Sequence, residues 1–487
     1  MSLYLIVDDT VRVSDEIAGL TGVSSFGRLL YRRRTLVQHL EDAAAEAGLP
    51  APVVLPSRAA AAELEHRLAH EDWQASFLVI PTNIVAMAPR AELVTLLRQL
   101  RYVAQNIQLP VARGADWSGL LRLDTPLARR YLRLVAEGAG PADFVARHGN
   151  EIAPIDNCIN FTDLRDQAQF LIFLTSNFDV RHFNAIVNEN FTIVKRSTDV
   201  AKLRREFNYY GLLPPEVQMF FVQPFDFQQM PDHASYRMER LFLPDMAIQW
   251  VHGAIRPDEF QRFLDRVFHF VSVRPRRPVD RATALAEMDR LYWEKVAERI
   301  DKLKQLPEYA RLGPLIDQAV GGIDALLERY RQLYFAARDR FPCDHLAIGH
   351  GDLCFSNVLY SKSTQLLRFI DPRGADHADE LYTDPYYDIA KLSHSIQGAY
   401  DFINGGRFSI DFGAGLEMTL VTDEGDRSWA RAQFRQMLER HGYDARLVRL
   451  CEASLFISML PLHIDLPRKV LAFVLNAAAI LDDISAG

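Results

Sequence analysis

Three oxygen-bearing side chains in the second half of the chain have the types and spacing that phosphoryl transfer needs. Asp352 stands in a His-Gly-Asp phrase, and Asn357 follows it in the next turn of chain. Asp371 ends the apolar run that comes after them. In such a constellation the first Asp accepts the proton of the attacking hydroxyl, and the other two side chains hold Mg²⁺ against the nucleotide phosphates. Because Mg²⁺ takes oxygen ligands, an amide and a carboxylate suit it.

A third motif strengthens this prediction. It runs from Asp384 to Ala390 and reads Asp-Pro-Tyr-Tyr-Asp-Ile-Ala. With it, the chain resembles the aminoglycoside phosphotransferase and choline kinase superfamily, which shares the protein-kinase fold and carries H-G-D, I-D and D-P-x-x-D-[IL]-A in this order. The resemblance implies a phosphotransferase that uses ATP or GTP with Mg²⁺, and that His350 and Asp388 support the Asp352 loop. The alternative is that these residues are only helix caps and turn residues.

The segment from residue 150 to 250 resembles the small lobe of that fold. β-Branched residues precede Lys195, as in the strand whose lysine grips the α- and β-phosphates. The helical segment after it carries Glu206, which in the family pairs with the lysine, although such pairs are also common on surfaces. Backbone groups near Glu239 and Leu241 would bond the adenine edge. Residues 177–184 contain no glycine where a glycine-rich hairpin is expected, so a pseudokinase stays open.

Residues 251–487 are expected to form the large lobe, with a helical C-terminus. Family members use such helices to wall the acceptor site, and a polar break between two apolar helices makes His463 and Asp465 acceptor-site candidates. A capped helix start explains these two residues equally well. Residues 273–278 hold three arginines and two prolines. Because proline is excluded from regular helix interiors, this segment is predicted to be an exposed basic loop.

The first 149 residues alternate short apolar runs with helix-like segments, which predicts an α/β domain with a largely parallel sheet. Predicted helices include residues 36–47, ending at Gly48, and 90–100. The segment resembles the nucleotidyltransferase fold with its Rossmann-type layers, but the family's glycine-rich loop is missing. Asp8 and Asp9 follow the first strand and would repel phosphate there. We therefore expect a degenerate nucleotidyltransferase-like domain. The arginines at 32–34 either bind phosphate or form a solvated helix face.

Composition sets limits on the class of protein. A chain of 487 residues exceeds one ordinary core, so two or more domains are expected. The net charge of −8 gives no reason to propose nucleic acid or an anionic membrane as partner. The four cysteines are widely spaced without a C-x-x-C pair, so reduced thiols are the default. No signal peptide or apolar stretch of ~20 residues is evident, which predicts a cytoplasmic protein without a membrane span. The oligomeric state stays open.

The phrase at residues 349–357, joined to the nucleotidyltransferase-like front end, is similar to proteins of bacterial capsule or surface-polysaccharide loci. That resemblance implies a sugar or polyol hydroxyl as the acceptor. A choline- or ethanolamine-type kinase is one alternative, and it needs an aromatic or acidic box for its cation. Trp250, Trp293 and Tyr382 are the candidates for such a box. A pseudokinase scaffold is the other alternative, although a scaffold has no chemical need to keep the base and both metal ligands.

Overall fold

The computed structural model divides the chain into two units, Met1–Asn177 and Phe178–Gly487. It describes residues 2–31, 34–71, 73, 75–88, 90–110, 118–155, 159, 161–166, 169–170, 173, 184–188, 191–413 and 417–486, without the side chains of 2, 110, 118, 119 and 184–188. Arg32, Arg33, Cys158 and residues 177–183 lie outside this description. The boundary differs from the one predicted after residue 149, because short strands at 153–154 and 161–163 pair with strands of the first unit.

The first unit is built around a mixed six-stranded sheet with the order β4-β1-β5-β8-β7-β9. β1 pairs in parallel with β4 and β5, whereas β8 runs antiparallel to both β5 and β7. Because β7 pairs antiparallel with β8 and parallel with β9, five of the six strands run in one direction and β8 alone is reversed. The sheet is therefore largely parallel, as predicted, with β8 as the exception. The strands of this unit are β1 Ser2–Asp8, β2 Leu30–Tyr31, β3 Arg34–Thr35, β4 Val53–Leu55, β5 Ala75–Pro81, β6 Ile84–Ala86, β7 Ile107–Pro110, β8 Ser118–Asp124, β9 Ala153–Pro154 and β10 Phe161–Asp163.

Helices cover both faces of this sheet, and the side chains of β1 show why. Leu5 and Val7 belong to one apolar cluster with α2 and α4, whereas Ile6 belongs to a second cluster with α3 and α5. Successive strand side chains point to opposite faces, so an unbroken apolar strand needs cover on both sides. The helices are α1 Asp15–Thr21, α2 Leu36–Ala47, α3 Arg58–His70, α4 Arg90–Leu100, α5 Thr125–Glu137 and α6 Pro141–His148.

The second unit begins with a four-stranded antiparallel sheet of order β11-β12-β14-β13 and continues with smaller sheets. β15, β16 and β19 form a three-stranded sheet, β17 pairs with β18, and β20 pairs with β21. The strands are β11 Asn184–Asn188, β12 Thr192–Ser197, β13 Pro224–Gln229, β14 Ala234–Glu239, β15 Arg276–Pro278, β16 His345–Ile348, β17 Val358–Tyr360, β18 Leu367–Phe369, β19 Tyr382–Thr383, β20 Phe408–Phe412 and β21 Met418–Thr422.

One large apolar core takes buried residues from every described α-helix of the second unit, including Phe263, Ile300, Ile389, Phe456 and Phe473. Within the described part of the chain, no helix combines the length and apolarity that crossing a bilayer requires. The helices are α7 Val200–Leu212, α8 Pro215–Gln218, α9 Met246–Val251, α10 Pro257–Val273, α11 Arg281–Asp289, α12 Lys295–Gln305, α13 Tyr309–Val320, α14 Ile323–Ala337, α15 Tyr386–Ile396, α16 Tyr400–Asn404, α17 Ser428–Arg440, α18 Ala445–Met459 and α19 Pro467–Ala486.

The predicted exposed basic loop at residues 273–278 is wrong. α10 continues to Val273, and Arg276–Pro278 forms β15, which pairs antiparallel with β16. Arg274 between them is buried, because its guanidinium meets a buried carboxylate and two carbonyl groups. The basic composition of the segment therefore hides one structural arginine among exposed ones.

Candidate active site

The backbone of the loop that carries Asp352 is hydrogen-bonded to a single carboxylate. Asp388 accepts hydrogen bonds from the backbone amides of His350 and Gly351, each at 2.9 Å. The His350 ring continues this network, because Nε2 donates to the Ile370 carbonyl at 2.9 Å and Nδ1 accepts from the Asp352 amide at 3.1 Å. Burial lowers the pKa of His350, so the neutral ring serves as one donor and one acceptor. The structure thus places His350 and Asp388 where a supporting role needs them.

Arg274 completes this support, and the sequence analysis did not identify it. Its guanidinium bonds Asp388 Oδ2 at 3.0 Å, the Ile348 carbonyl at 3.3 Å and the Pro385 carbonyl at 2.9 Å. The side chains of Arg274 and Asp388 are 1% and 0% exposed. A buried carboxylate is costly unless it is paired and hydrogen-bonded, and this one receives an arginine and two amides. The pair therefore ties the Asp352 loop to the end of α10.

Lys195 on β12 and Glu206 on α7 form the predicted pair, with Nζ 2.5 Å from Oε2. The same ammonium lies 2.8 Å from Oδ1 of Asp371, which is 176 residues away in the chain. Burial alone would lower the pKa of Lys195, but the charges of Asp371 and Glu206 raise it well above its usual value. Lys195 is therefore a fixed cation with a carboxylate on either side.

Two glycines show how closely the Asp371 loop is packed. A Cβ at Gly374, whose φ is 86°, would stand 2.7 Å from the backbone carbon of Arg205. A Cβ at Gly351, whose φ is 79°, would stand 2.6 Å from Cβ of Arg373. Asp371 itself has a φ of 56°, which is uncommon for a residue other than glycine and often marks a functional position. These contacts set the Asp371 loop against both α7 and the Asp352 loop.

Asn357 is oriented for a ligand role. Its amide nitrogen donates to the Asp352 carbonyl at 2.8 Å, so its oxygen is the atom left for a cation. Its own carbonyl accepts from the Ile370 amide at 3.1 Å, next to Asp371. Among the described residues, no group of three His, Cys, Asp or Glu side chains could hold a metal. Mg²⁺ is commonly bound by one or two protein oxygens with phosphates and water, so Asn357 and Asp371 fit that ion.

A lysine that the sequence analysis missed lies directly against Asp352. Lys391 Nζ is 2.9 Å from Asp352 Oδ1, and the lysine side chain is 12% exposed. Lys391 comes immediately after the Asp-Pro-Tyr-Tyr-Asp-Ile-Ala motif, three residues beyond Asp388. On a helix, positions three apart share a face, so a lysine at this spacing from Asp388 was the available signal.

The predicted adenine-binding segment leaves the four-stranded sheet at the expected place. Glu239 is the last residue of β14 and is exposed, and the Arg240 amide donates to the Phe191 carbonyl at 2.9 Å. Leu241 follows, and the chain then reaches β17 through a bond from the Tyr360 amide to the Pro244 carbonyl at 3.1 Å. The segment therefore connects that sheet to the strand after Asn357, and adenine binding by it stays a prediction.

The two acceptor-site candidates near the C-terminus differ in their environment. His463 is buried, with its ring edge against Phe473 at a centroid distance of 5.5 Å. Asp465 is exposed, just before α19 begins at Pro467. An acceptor role for either residue stays a prediction.

Two of the three aromatic residues considered for a cation box have a ring face that is occupied by an arginine. The ring of buried Trp250 is already covered by the Arg427 guanidinium at 4.5 Å. The ring of Tyr382 is covered by Arg277 at 4.4 Å, and Trp293 packs against Phe335. A ring face that already carries an internal guanidinium cannot receive a ligand cation as well.

No family model and no curated protein matches this chain. Among solved structures, it is similar to a thermostable mutant of aminoglycoside phosphotransferase APH(4)-Ia in its apo form, at 12% identity over 66% of this chain and 99% of that chain, with a TM-score of 0.37. A variant of that enzyme in a ternary complex with AMP-PNP and hygromycin B is 13% identical over 65% of this chain and 98% of that chain, with a TM-score of 0.37. An aminoglycoside-3'-phosphotransferase of type VIII is 16% identical over 57% of this chain and 94% of that chain, with a TM-score of 0.33. At these TM-scores the likenesses do not decide what this chain does.

Proposed function

We propose that the second unit, Phe178–Gly487, forms a kinase-like phosphotransferase that moves the γ-phosphoryl group of ATP or GTP to an alcohol. The observation that carries the proposal is the meeting of Lys195, Glu206 and Asp371 at bonding distance. Phosphoryl transfer needs a lysine for the phosphates and a carboxylate for the metal, both rigidly held. The Asp352 loop beside them adds a carboxylate that can accept the hydroxyl proton.

In the proposed reaction, Asp352 takes the proton of the acceptor hydroxyl while the oxygen of that hydroxyl forms a bond to the γ-phosphorus. The bond between that phosphorus and the β–γ bridging oxygen breaks, and its electron pair leaves with the nucleoside diphosphate. Lys195, held by Glu206, binds the α- and β-phosphates. Asn357 and Asp371 are the residues that would hold Mg²⁺, which neutralises phosphate charge when bound.

For the acceptor we propose an uncharged sugar or polyol, with a role in surface-polysaccharide synthesis in the cytoplasm. Two observations favour this over choline or ethanolamine. Arginines already cover one ring face of Trp250 and one ring face of Tyr382, two of the three candidates for a cation box. In addition, the Lys391 ammonium beside Asp352 would repel a cationic alcohol at the position of its hydroxyl.

The test of this function uses the purified full chain with ATP or GTP, with and without Mg²⁺. Sugars, polyols and amino alcohols are offered in turn, and nucleoside diphosphate formation is measured. We expect Mg²⁺-dependent turnover that a sugar or polyol accelerates. Absence of Mg²⁺-dependent turnover with every acceptor, including water, would favour the pseudokinase scaffold.

Asp371→Ala is expected to weaken Mg²⁺-dependent nucleotide binding, because it removes one of few anionic ligands. Asn357→Ala should weaken it less, since an amide carries no charge. AMP-PNP affinity is measured by calorimetric titration with and without Mg²⁺. The comparison separates the loss of affinity that depends on Mg²⁺ from the change caused by removing the partner of Lys195. Asp379→Ala is the matched control, because that carboxylate is exposed and pairs with Arg277. Equal affinity of the wild type and Asp371→Ala in Mg²⁺ would remove Asp371 from the metal site.

We also propose that the first unit is a degenerate nucleotidyltransferase-like domain that transfers no nucleotide. Asp8 accepts hydrogen bonds from the Thr10 amide and hydroxyl and from the Tyr131 hydroxyl. Asp9 accepts the Gly27 amide at 2.8 Å and two hydroxyl groups, and a Cβ at Gly27 would meet its carboxylate at 2.6 Å. The backbone amide that could face a phosphate is therefore used by an internal anion.

Pyrophosphate release is the measurement for this unit. The full chain is incubated with CTP, UTP, GTP or ATP and with sugar phosphates or phosphocholine. We expect no sustained release, because a triphosphate needs a cradle of amides and basic side chains, and among the described residues the Gly27 amide is already bonded to Asp9. Release that survives Asp352→Asn but stops in Arg28→Ala would show that the first unit is a second enzyme.

A further inference from the structure

Resting on the proposed phosphotransferase function, we propose that Lys391 is a catalytic residue that bonds the transferring phosphoryl group from the acceptor side. Its ammonium lies 2.9 Å from Asp352 Oδ1. Neither the motifs of the sequence nor the donor-side pair of Lys195 and Glu206 assigns this lysine a role. The inference follows from the position, burial and charge of this one side chain.

Lys391 is held on a rigid, buried helix that also fixes the Asp352 loop. α15 carries Asp388 and Lys391 three residues apart, so both side chains project from one face toward that loop. Asp388 holds the loop through the backbone amides of His350 and Gly351. Lys391 meets the side chain that ends the same loop. One helix face therefore positions the backbone and the carboxylate of Asp352 together.

The charge on Lys391 is maintained although the side chain is buried. Burial by itself lowers the pKa of a lysine, but the charge of Asp352 opposes this and the pKa of Lys391 is raised. Tyr387 accepts a hydrogen bond from Lys295 Nζ at 2.8 Å. The Asp352 side chain is 40% exposed, so this ion pair is in contact with water and is weak grounds for a purely stabilising role.

The position of Lys391 follows from the geometry that general-base catalysis requires. The acceptor hydroxyl must come within ~2.6–3.2 Å of an Asp352 oxygen, and the γ-phosphorus becomes bonded to that same hydroxyl oxygen. A cation in contact with the Asp352 carboxylate therefore lies next to the phosphoryl oxygens while the phosphoryl group is transferred to the acceptor oxygen. An ammonium has three donors, so Lys391 can bond Asp352 and a phosphoryl oxygen at once.

Two lysines then flank the transferring group. Lys195 belongs to the nucleotide side, where it contacts Asp371, and Lys391 belongs to the acceptor side, where it contacts Asp352. As the bond to the acceptor oxygen forms and the bond to the bridging oxygen breaks, negative charge is spread over three phosphoryl oxygens. A fixed ammonium aimed at this charge acts mainly in the transition state, because it needs no reorganisation when the charge develops.

The experiment compares Lys391→Met and Lys391→Arg with the control Lys362→Met in the full chain. Lys362 is a second half-buried lysine, 15% exposed, whose ammonium lies 3.9 Å from Glu259 Oε2. The measurements are kcat and KM for ATP with Mg²⁺, using the best acceptor of the screen or water, and the affinity for AMP-PNP with Mg²⁺. We expect kcat of Lys391→Met to fall about 10²-fold, as for loss of one charge-stabilising donor. KM and AMP-PNP affinity should change little, Lys391→Arg should recover part of kcat, and Lys362→Met should match the wild type.

Wild-type kcat in folded Lys391→Met would overturn the inference. So would a parallel fall of kcat, AMP-PNP affinity and denaturation midpoint that Lys391→Arg does not relieve, because that pattern describes a structural residue. Mg²⁺-dependent turnover of the wild type distinguishes failure of the Lys391 inference from failure of the proposed function. If the wild type turns over nucleotide and Asp352→Asn does not, a normal Lys391→Met rejects the role of Lys391 alone. If the wild type has no Mg²⁺-dependent turnover, the function fails first and the inference fails with it.

Discussion

Asp352→Asn is expected to lower kcat at least ~10²-fold, the typical contribution of a general base, while nucleotide affinity stays nearly unchanged. The substitution keeps the size of the side chain and removes its capacity to accept a proton, together with the negative charge that faces Lys391. The loop around it is held by other groups, since Asp388 binds the amides of His350 and Gly351, and Asn357 binds the Asp352 carbonyl. Loss of turnover in this variant would therefore report on chemistry and not on a displaced loop.

The control for this variant is Asp344→Asn, which makes the same change at an exposed position ahead of β16. Steady-state kinetics and AMP-PNP titration are measured on both. Near-normal kcat in Asp352→Asn would remove Asp352 from the role of base. The double variant with Lys391→Met adds a further check, because residues that act as a unit give losses that do not add. We expect Lys391→Met to lower kcat by a smaller factor in the Asp352→Asn background than in the wild type.

Local signals in the sequence were sufficient where a structural element is determined by its own residues. The helix predicted at residues 36–47 has those bounds in the structure, because Thr35 and Gln38 form a capping box and Gly48 adopts a left-handed φ of 73°. The helix at 90–100 likewise matches its prediction. The pairing of Lys195 with Glu206 could be anticipated in the same way, since a strand and the helix directly after it carry the two residues.

The sequence was insufficient where an element depends on a distant partner. Arg274 stands in a segment whose prolines and arginines indicate an exposed loop, yet its partner Asp388 is 114 residues away. No local pattern tells a buried arginine from the exposed Arg276 two residues later. The orientation of β8 is a similar case, because antiparallel pairing with β5 is set by how the chain returns to the sheet. Lys391 was missed because the family motif ends at Ala390, one residue before it.

Arg274→Met is expected to lower the free energy of unfolding of the second unit by about 3–5 kcal/mol, the usual cost of breaking a buried ion pair from one side. The methionine fills much of the space of the arginine stem. It leaves Asp388 with a buried charge, opposed only by the two loop amides, and it leaves the Ile348 and Pro385 carbonyls without that guanidinium. Because Asp388 also holds the Asp352 loop, kcat should fall even in the fraction that remains folded.

The matched control is Arg276→Met, the same change two residues away on an exposed side chain, which should alter stability by no more than ~0.5 kcal/mol. Denaturant unfolding is followed for the wild type and both variants, and midpoints are compared at equal slope. Replacing both Arg274 by Met and Asp388 by Leu should not restore stability, although buried ion pairs often tolerate apolar replacement. The reason is that the amides of His350 and Gly351 would then lose their acceptor, at a further ~1–3 kcal/mol for each buried donor left unsatisfied. Equal midpoints for Arg274→Met and Arg276→Met would show that the carboxylate under the Asp352 loop does not need its arginine.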